Sequence, residues 1–363
     1  MTIILKYKPD FEEVKEAYKY FWAGADWKRP LVWAKVLKPV GQHLEKKIST
    51  LADYRYYRAI NRRWDEQCAL IDTWLENTFF LGEDIPYFIP DFGPDQFAAY
   101  LGAPMHFSES SSNTSWVEPI VRDWADFEVK LEETNAVWKG VRDYAAHIAK
   151  HAAGRYLVGI GDFHSNLDAA SGLRGAQNLC LDLIDCPDEV ERCMLKIRAL
   201  YAPVYNAIYQ AAGMNAATGS LGWGPFWCED KFAVIQCDFS YMIGSGDFRR
   251  FVMPAIEEEA AFLDHSMYHL DGCGALTHLD DVLSIKDIDV LQWVAGSGQK
   301  PMWQWTEILK KGLAAGKALH IYDITPEQVK LVHRELKSRR CLYQITAQTR
   351  SEVEELLKWL EHN

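Results

Sequence analysis

The sequence predicts an α/β protein built as a (β/α)8 TIM barrel. Two observations carry this. From Arg155 onward, short apolar runs alternate with amphipathic segments, and most of the runs are followed by a helical stretch with a recognisable start signal. The runs are near-continuous in apolar character, as expected of strands buried on both faces of a parallel sheet. Five or six such units in about two hundred residues suit a barrel better than an open doubly wound sheet.

Taken in order, the first 80 residues read as helical. Phe11 to Trp22 carries apolar residues at helical spacing, and Leu51 to Phe80 reads as a longer helix or helix pair. Arg55, Arg58, Arg62 and Arg63, beside Trp64, read as a solvated, ion-paired face. Ile85 to Pro90 is a candidate first barrel strand, ended by Asp91-Phe92-Gly93-Pro94. Ser108 to Ser115 reads as a polar loop and Glu128 to Ala152 as a helix.

Six further strands are expected at Tyr156–Ile160, Ala233–Cys237, Ser266–Leu270, Val290–Val294, Ala318–Tyr322 and Cys341–Ile345. Asp247 precedes Phe248, Phe251 and Val252, which share one helix face. Thr325-Pro326-Glu327 sets a capping residue before a proline at the first helical position. No linker rich in Pro, Gly or Ser divides the chain, and no internal repeat is present. The expected organisation is a helical N-terminal extension, residues 1–80, packed on a barrel of residues 81–363.

At 363 residues, with 48% hydrophobic and 25% charged residues, the chain has the balance of a soluble globular protein. No apolar run approaches the ~18–20 residues of a membrane span. Met1–Leu5 is too short and too lightly charged for a secretory signal, so the expected location is cytoplasmic. A net charge of −12 argues against a general nucleic-acid binder. The eight cysteines show no CxxC pair and no framework spacing, and read as reduced, small buried residues. The fourteen tryptophans are the compositional anomaly. Trp223 and Trp227 flank a glycine-rich loop, and loop aromatics of this kind line concave sites for small ligands.

The chemistry concentrates at Tyr268-His269-Leu270-Asp271-Gly272-Cys273-Gly274. In an extended strand, residues two apart point to one face, so His269 and Asp271 project together. The glycines that follow let the backbone turn sharply at a strand's carboxyl end, which is where α/β proteins place their sites. His269, Asp271 and Cys273 form a candidate metal-ligand set. Asp238 and His164 sit at two other expected strand ends. His278 and Asp280, on the next expected helix, read as structural.

Four stretches, taken together, resemble the uroporphyrinogen decarboxylase superfamily, and its methyltransferase-like branch in particular. Arg155–Val158 with Leu167–Gly175 resembles that family's strand and "LRG" helix start. Cys237-Asp238 with Gly246–Pro254 resembles its strand-end Asp and "dFxxFxxP" helix. His269-Leu270-Asp271-Gly272 resembles its "HxDG" or "HxCG" strand end, and Ile324–Val329 its "GTPEEV" helix start. The resemblance covers residues 80 to 360 and implies a (β/α)8 barrel whose pocket opens at the strand carboxyl ends.

It also implies methyl transfer from or to a small methylated substrate. The second methyl carrier would be a corrinoid (cobalamin), held by a partner protein, since no corrinoid-binding motif occurs in the chain. Zinc is the metal that thiol-using relatives hold. Here Arg29–Pro39 lacks the arginine pair that grips a porphyrinogen's carboxylates, so porphyrinogen decarboxylation is not expected. Asp271 stands where such relatives have Cys, and Cys341 lies at a strand start, so the expected site is a mixed N/O one.

The reading is thus His269, Asp271 and Asp238 as catalytic groups, with Trp223, Trp227, Trp293, His164, Arg174 and Gln344 around the substrate. Arg174 would grip a carboxylate as a fork. A lyase, a decarboxylase or a sugar-directed hydrolase on the same barrel remains open, as does a non-catalytic binding protein.

Overall fold

The computed structural model describes residues 3–25, 27–107, 114–224 and 226–363. Its strands, in chain order, are β1 (Leu31–Leu37), β2 (Thr78–Gly82), β3 (Tyr87–Phe88), β4 (Met105–His106), β5 (Trp116–Val117), β6 (Leu157–Val158), β7 (Ser220–Leu221), β8 (Trp227–Cys228), β9 (Phe232–Gln236), β10 (His265–Asp271), β11 (Val290–Val294), β12 (Ala318–Ile324) and β13 (Cys341–Ile345). The central sheet has seven strands in the order β2-β1-β13-β12-β11-β10-β9. All of its pairings are parallel except β1 with β2. β3 and β6 form a separate parallel pair, and Ile160, just past β6, bridges in parallel to Gly222.

Every strand of the parallel run is buried on both faces, which is why the sequence shows unbroken apolar runs there. On one face, Leu31, Val234, Met267, Val290, Ala318 and Leu342 share a core with Leu157 of β6. On the other, Val32, Ile235, Tyr268, Leu291, Leu319 and Tyr343 join the large core formed with the helices. Helix Phe11–Trp22 sends Phe11, Val14, Tyr18 and Phe21 into the first core, at the amino ends of the strands.

The first 80 residues differ from expectation. They hold helices at Phe11–Trp22, Gln42–Ser49, Arg55–Ile60 and Trp64–Glu76, but also β1, which lies inside the central sheet between β2 and β13. The run Leu31–Leu37 is interrupted by Lys35, whose ammonium lies 3.9 Å from the centroid of the Trp33 ring. That contact lets a strand in an apolar setting carry a cation. Arg58, expected on a solvated face, is buried and donates to the Thr50 and Leu51 carbonyls and to Gln67. The helix expected from Glu128 begins at Ala136, capped by Asn135, which accepts from the Val137 and Trp138 N–H groups. Residues 108–113 of the expected polar loop lie outside the described residues. Among the described residues, no helix is long and apolar enough to cross a membrane.

Candidate functional site

Along the inward face of the parallel run, the apolar layer gives way to a polar one. After Val234, Met267, Val290, Ala318 and Leu342, the next inward side chains are Gln236, His269, Gln292, His320 and Gln344. His269 is in register with both Gln236 and Gln292, and Gln292 with His320, so these groups stand at one level. The His269 Nδ1 is hydrogen-bonded to Gln292 Oε1. The Gln292 carboxamide nitrogen reaches His320 Nδ1 at 2.6 Å, and His320 Nε2 reaches Gln344 Oε1 at 3.0 Å. Burial pushes His320 down to about 3, against a smaller opposing effect of the Gln344 bond, so this ring is neutral.

At the upper edge of that layer, the carboxyl ends of β9 and β10 bring Asp238 and Asp271 together with His269. One potential ligand atom from each lies within 4.8 Å of the others. Asp238 Oδ1 is buried and has no hydrogen-bond partner among the described residues. The chain can turn immediately after Asp271 because Gly272 has φ +81°. A Cβ there would also meet the Tyr241 ring at 2.8 Å.

A second group adjoins the first. His164 Nε2 lies 3.1 Å from Asp162 Oδ2 and 3.8 Å from Asp238 Oδ2. Burial opposes the charge on His164, but Asp162, through its field and hydrogen bond, and then Asp168 and Asp238, raise it to about 10. The Gln236 carboxamide lies 2.7 Å from the same Nε2. The Gln236 carboxamide oxygen is buried and has no partner among the described residues.

His164 and Asn166 both have left-handed backbones, φ +42° and +56°. The bend is held by Ser165 Oγ donating to Glu259 Oε1 at 2.7 Å and by Asn166 Nδ2 donating to the Gln236 carbonyl at 2.9 Å. Asp168 accepts from the Asp238 and Phe239 N–H groups at 2.9 and 2.8 Å, which fixes the turn that carries Asp238. Burial raises the carboxyls of both Asp168 and Asp238, with His164 working the other way.

Two cavities open here. One, of about 400 Å³, is lined by Asp95, His164, Asp168, Asp238 and Phe239 among others. The other, of about 380 Å³, is bordered by Asp271, Lys300, Tyr322 and Asp323.

Among the residues expected from sequence, His164, Asp238, His269 and Asp271 converge. Trp223 joins them, its ring edge-on to His269 at 5.0 Å between centroids. The other two tryptophans do not. Trp227 is 1% exposed, packed against Phe11 and Tyr18 at the amino ends, with its indole N–H donated to the Thr218 carbonyl. Trp293 is fully buried and points the opposite way from Gln292, against Trp305. Both indoles are core mass, because strand parity and the helix Phe11–Trp22 enclose them.

Arg174 is also committed elsewhere. Its guanidinium forks Asp182 at 2.6 and 3.1 Å and donates to the Val121 and Arg122 carbonyls, so it has no fork left for a substrate carboxylate. Gln344 faces the site side but bonds His320. The Cys273 thiol lies 3.5 Å from the Ala295 carbonyl and is outside the three-residue ligand cluster; Asp238 takes the place expected for it. Cys341 is buried on the helix side of β13, and its thiol is pushed up to about 12 by burial.

Asp162, Gln236, Gln292 and His320 were not anticipated. Their signal was available in the sequence: each is a polar residue within or just past an apolar run, and the last three stand on the same strand face as His269.

The arrangement is that of a parallel α/β protein with an acid, imidazole-rich site at the strand carboxyl ends. No protein-family model matches the sequence, and no curated protein does. Among solved structures, a methyltransferase from Methanosarcina mazei superposes with a TM-score of 0.61 at 13% sequence identity, over 96% of this chain and 98% of that one. At that identity the likeness is one of fold.

Proposed function

We propose that this protein is a methyltransferase on a (β/α)8 barrel, with β1, β3, β6 and β9–β13 as the eight staves, acting on a small methylated substrate with help from a divalent metal. The observation that carries the reading is the convergence of Asp238, His269 and Asp271 within 4.8 Å at the carboxyl ends of β9 and β10. The whole-chain likeness to a methyltransferase fold supports it, as does the resemblance to the uroporphyrinogen decarboxylase superfamily in the sequence.

The three residues fit a metal. One imidazole and two carboxylates form a donor set for zinc or a harder divalent ion, and the buried, unpartnered Asp238 Oδ1 is a ligand atom in need of a counter-charge. A bound cation would supply positive charge to the heteroatom that the methyl group leaves. The chain's own residues do the rest. The Trp223 ring and the polar layer beneath fix the position of His269. The His164 imidazolium, held by Asp162, offsets the carboxylates beside the substrate cavity. The methyl group would pass to or from a corrinoid carried by a partner protein.

The test is metal analysis of the purified protein, followed by methyl transfer to cob(I)alamin monitored by its visible spectrum. One equivalent of metal, lost in Asp238→Asn and Asp271→Asn together with transfer, is expected. Transfer that persists in stringently metal-free protein would instead make His269 a direct acid. Absence of both metal binding and transfer with a panel of methylated thiols, amines and alcohols would overturn the reading.

A further inference from the structure

The side chains beneath His269 form a directional chain. His320, flanked by two carboxamides, accepts from the Gln292 nitrogen at 2.6 Å through Nδ1 and donates to Gln344 Oε1 at 3.0 Å through Nε2. Gln292 and His320 are both buried, at 4% and 2% exposure, so neither exchanges its partner for water. With the Gln292 nitrogen used on His320, its oxygen is what remains for His269 Nδ1.

We infer that Gln292, His320 and Gln344 are positioning residues that keep a proton on Nδ1 of His269 and leave Nε2 as its working nitrogen. The inference rests on His269 being the imidazole of the proposed site, and adds which atom works and what dictates it. The reverse orientation of the chain is disfavoured on chemical grounds. A carboxamide oxygen at Nδ1 suits both the free ring and a ring holding a metal through Nε2. A carboxamide N–H there would need a bare Nδ1, which puts the ring's single proton on Nε2 and leaves that atom no lone pair for a metal. Second-layer hydrogen bonds of this kind fix ligand tautomers in metal sites generally. Here the fixing group is itself fixed, two residues further along the layer.

The test is nitrogen NMR of the full-length protein labelled with [15N]histidine, with His269 assigned by the signal missing from His269→Gln. In metal-free parent protein, Nδ1 is expected to show the shift of a protonated, pyrrole-type nitrogen. On addition of zinc, Nδ1 should stay protonated while only Nε2 moves. Gln292→Met, which removes the acceptor, should convert Nδ1 to a mixture of protonated and bare forms. Gln292→Glu, which still accepts, should restore the parent pattern.

A bare, pyridine-type Nδ1 in the parent would overturn the inference without recourse to any variant, as would a parent-like spectrum in Gln292→Met. Failure of zinc to shift Nε2 would count against the metal reading of the site but leave the Nδ1 result standing. Loss of packing alone would not move the proton between the two nitrogens.

Discussion

Glu259, on the helix Met253–Phe262, braces the bend that carries His164, and it does so from a fully enclosed position. Burial raises its carboxyl from 4.5 to about 8, against the opposing bonds from Ser165 and Asn166. Both bonds fall on Oε1, and Oε2 has no partner among the described residues, so Oε2 holds the proton. The folded value lies above the unfolded one. Stability from this group is therefore complete below the unfolded value and declines as pH rises toward the folded one. Between pH 5 and pH 8 the unfolded chain gains between two and three pH units of ionisation over the folded chain, worth roughly 3 kcal/mol at ~1.36 kcal/mol per unit.

The perturbation is Glu259→Gln, which keeps the oxygen that Ser165 and Asn166 use and cannot ionise. Urea unfolding of parent and variant at both pH values gives the double difference, in which titrating groups that do not interact with Glu259 cancel. The parent should lose about 3 kcal/mol more than the variant on going from pH 5 to pH 8. Equal losses would show that Glu259 is already ionised in the folded protein, and the account of the bend as a neutral brace would fall.

Three further outcomes are expected. His269→Ala should lower methyl transfer at least ~100-fold in single-turnover assays, while Cys273→Ala stays close to the parent; the opposite pattern would mark a thiolate-centred site. Trp227→Ala should destabilise by about 3–5 kcal/mol in denaturant melts without altering KM, as befits an enclosed core indole, whereas Trp223→Ala should act chiefly on KM. Thr325→Ala removes one half of a complete capping box with Gln328 and should cost about 1 kcal/mol of stability, measured the same way, with activity unchanged.

The parallel strands were legible because burial on both faces leaves unbroken apolar runs, and the His269–Asp271 pair because two-residue spacing at a strand end dictates a shared face. Strand β1 was not legible as part of the sheet. Its Lys35 breaks the apolar run, which hid that Trp33, two residues earlier on the same strand face, takes that ammonium over its ring. The tryptophans misled for a different reason. Glycines near Trp227 suggested a ligand loop, while the partner that encloses it, helix Phe11–Trp22, comes from more than two hundred residues earlier in the chain. Arg174 could not be resolved from sequence either, because its partner Asp182 sits eight residues on, at a helix spacing where contact depends on a turn at Gly175. The polar layer was visible in principle, since Gln236, Gln292 and His320 stand on the same strand face as His269, but one polar residue per strand looks unremarkable until the strands are laid side by side.

The pairing of β1 with β13 ties Leu31 to Leu342, one near each terminus. During synthesis, β1 emerges early and finds β2 for one of its edges, but the parallel partner for its other edge, β13, follows more than three hundred residues later. Through that interval the edge is an open template for any extended chain nearby. The same holds for β12, whose outer edge waits for β13 as well. The nascent protein thus carries two exposed strand edges that a single C-terminal segment closes together. A chain cut short before Cys341 would keep nearly all of the chemistry of its site and yet be the form most prone to aggregate.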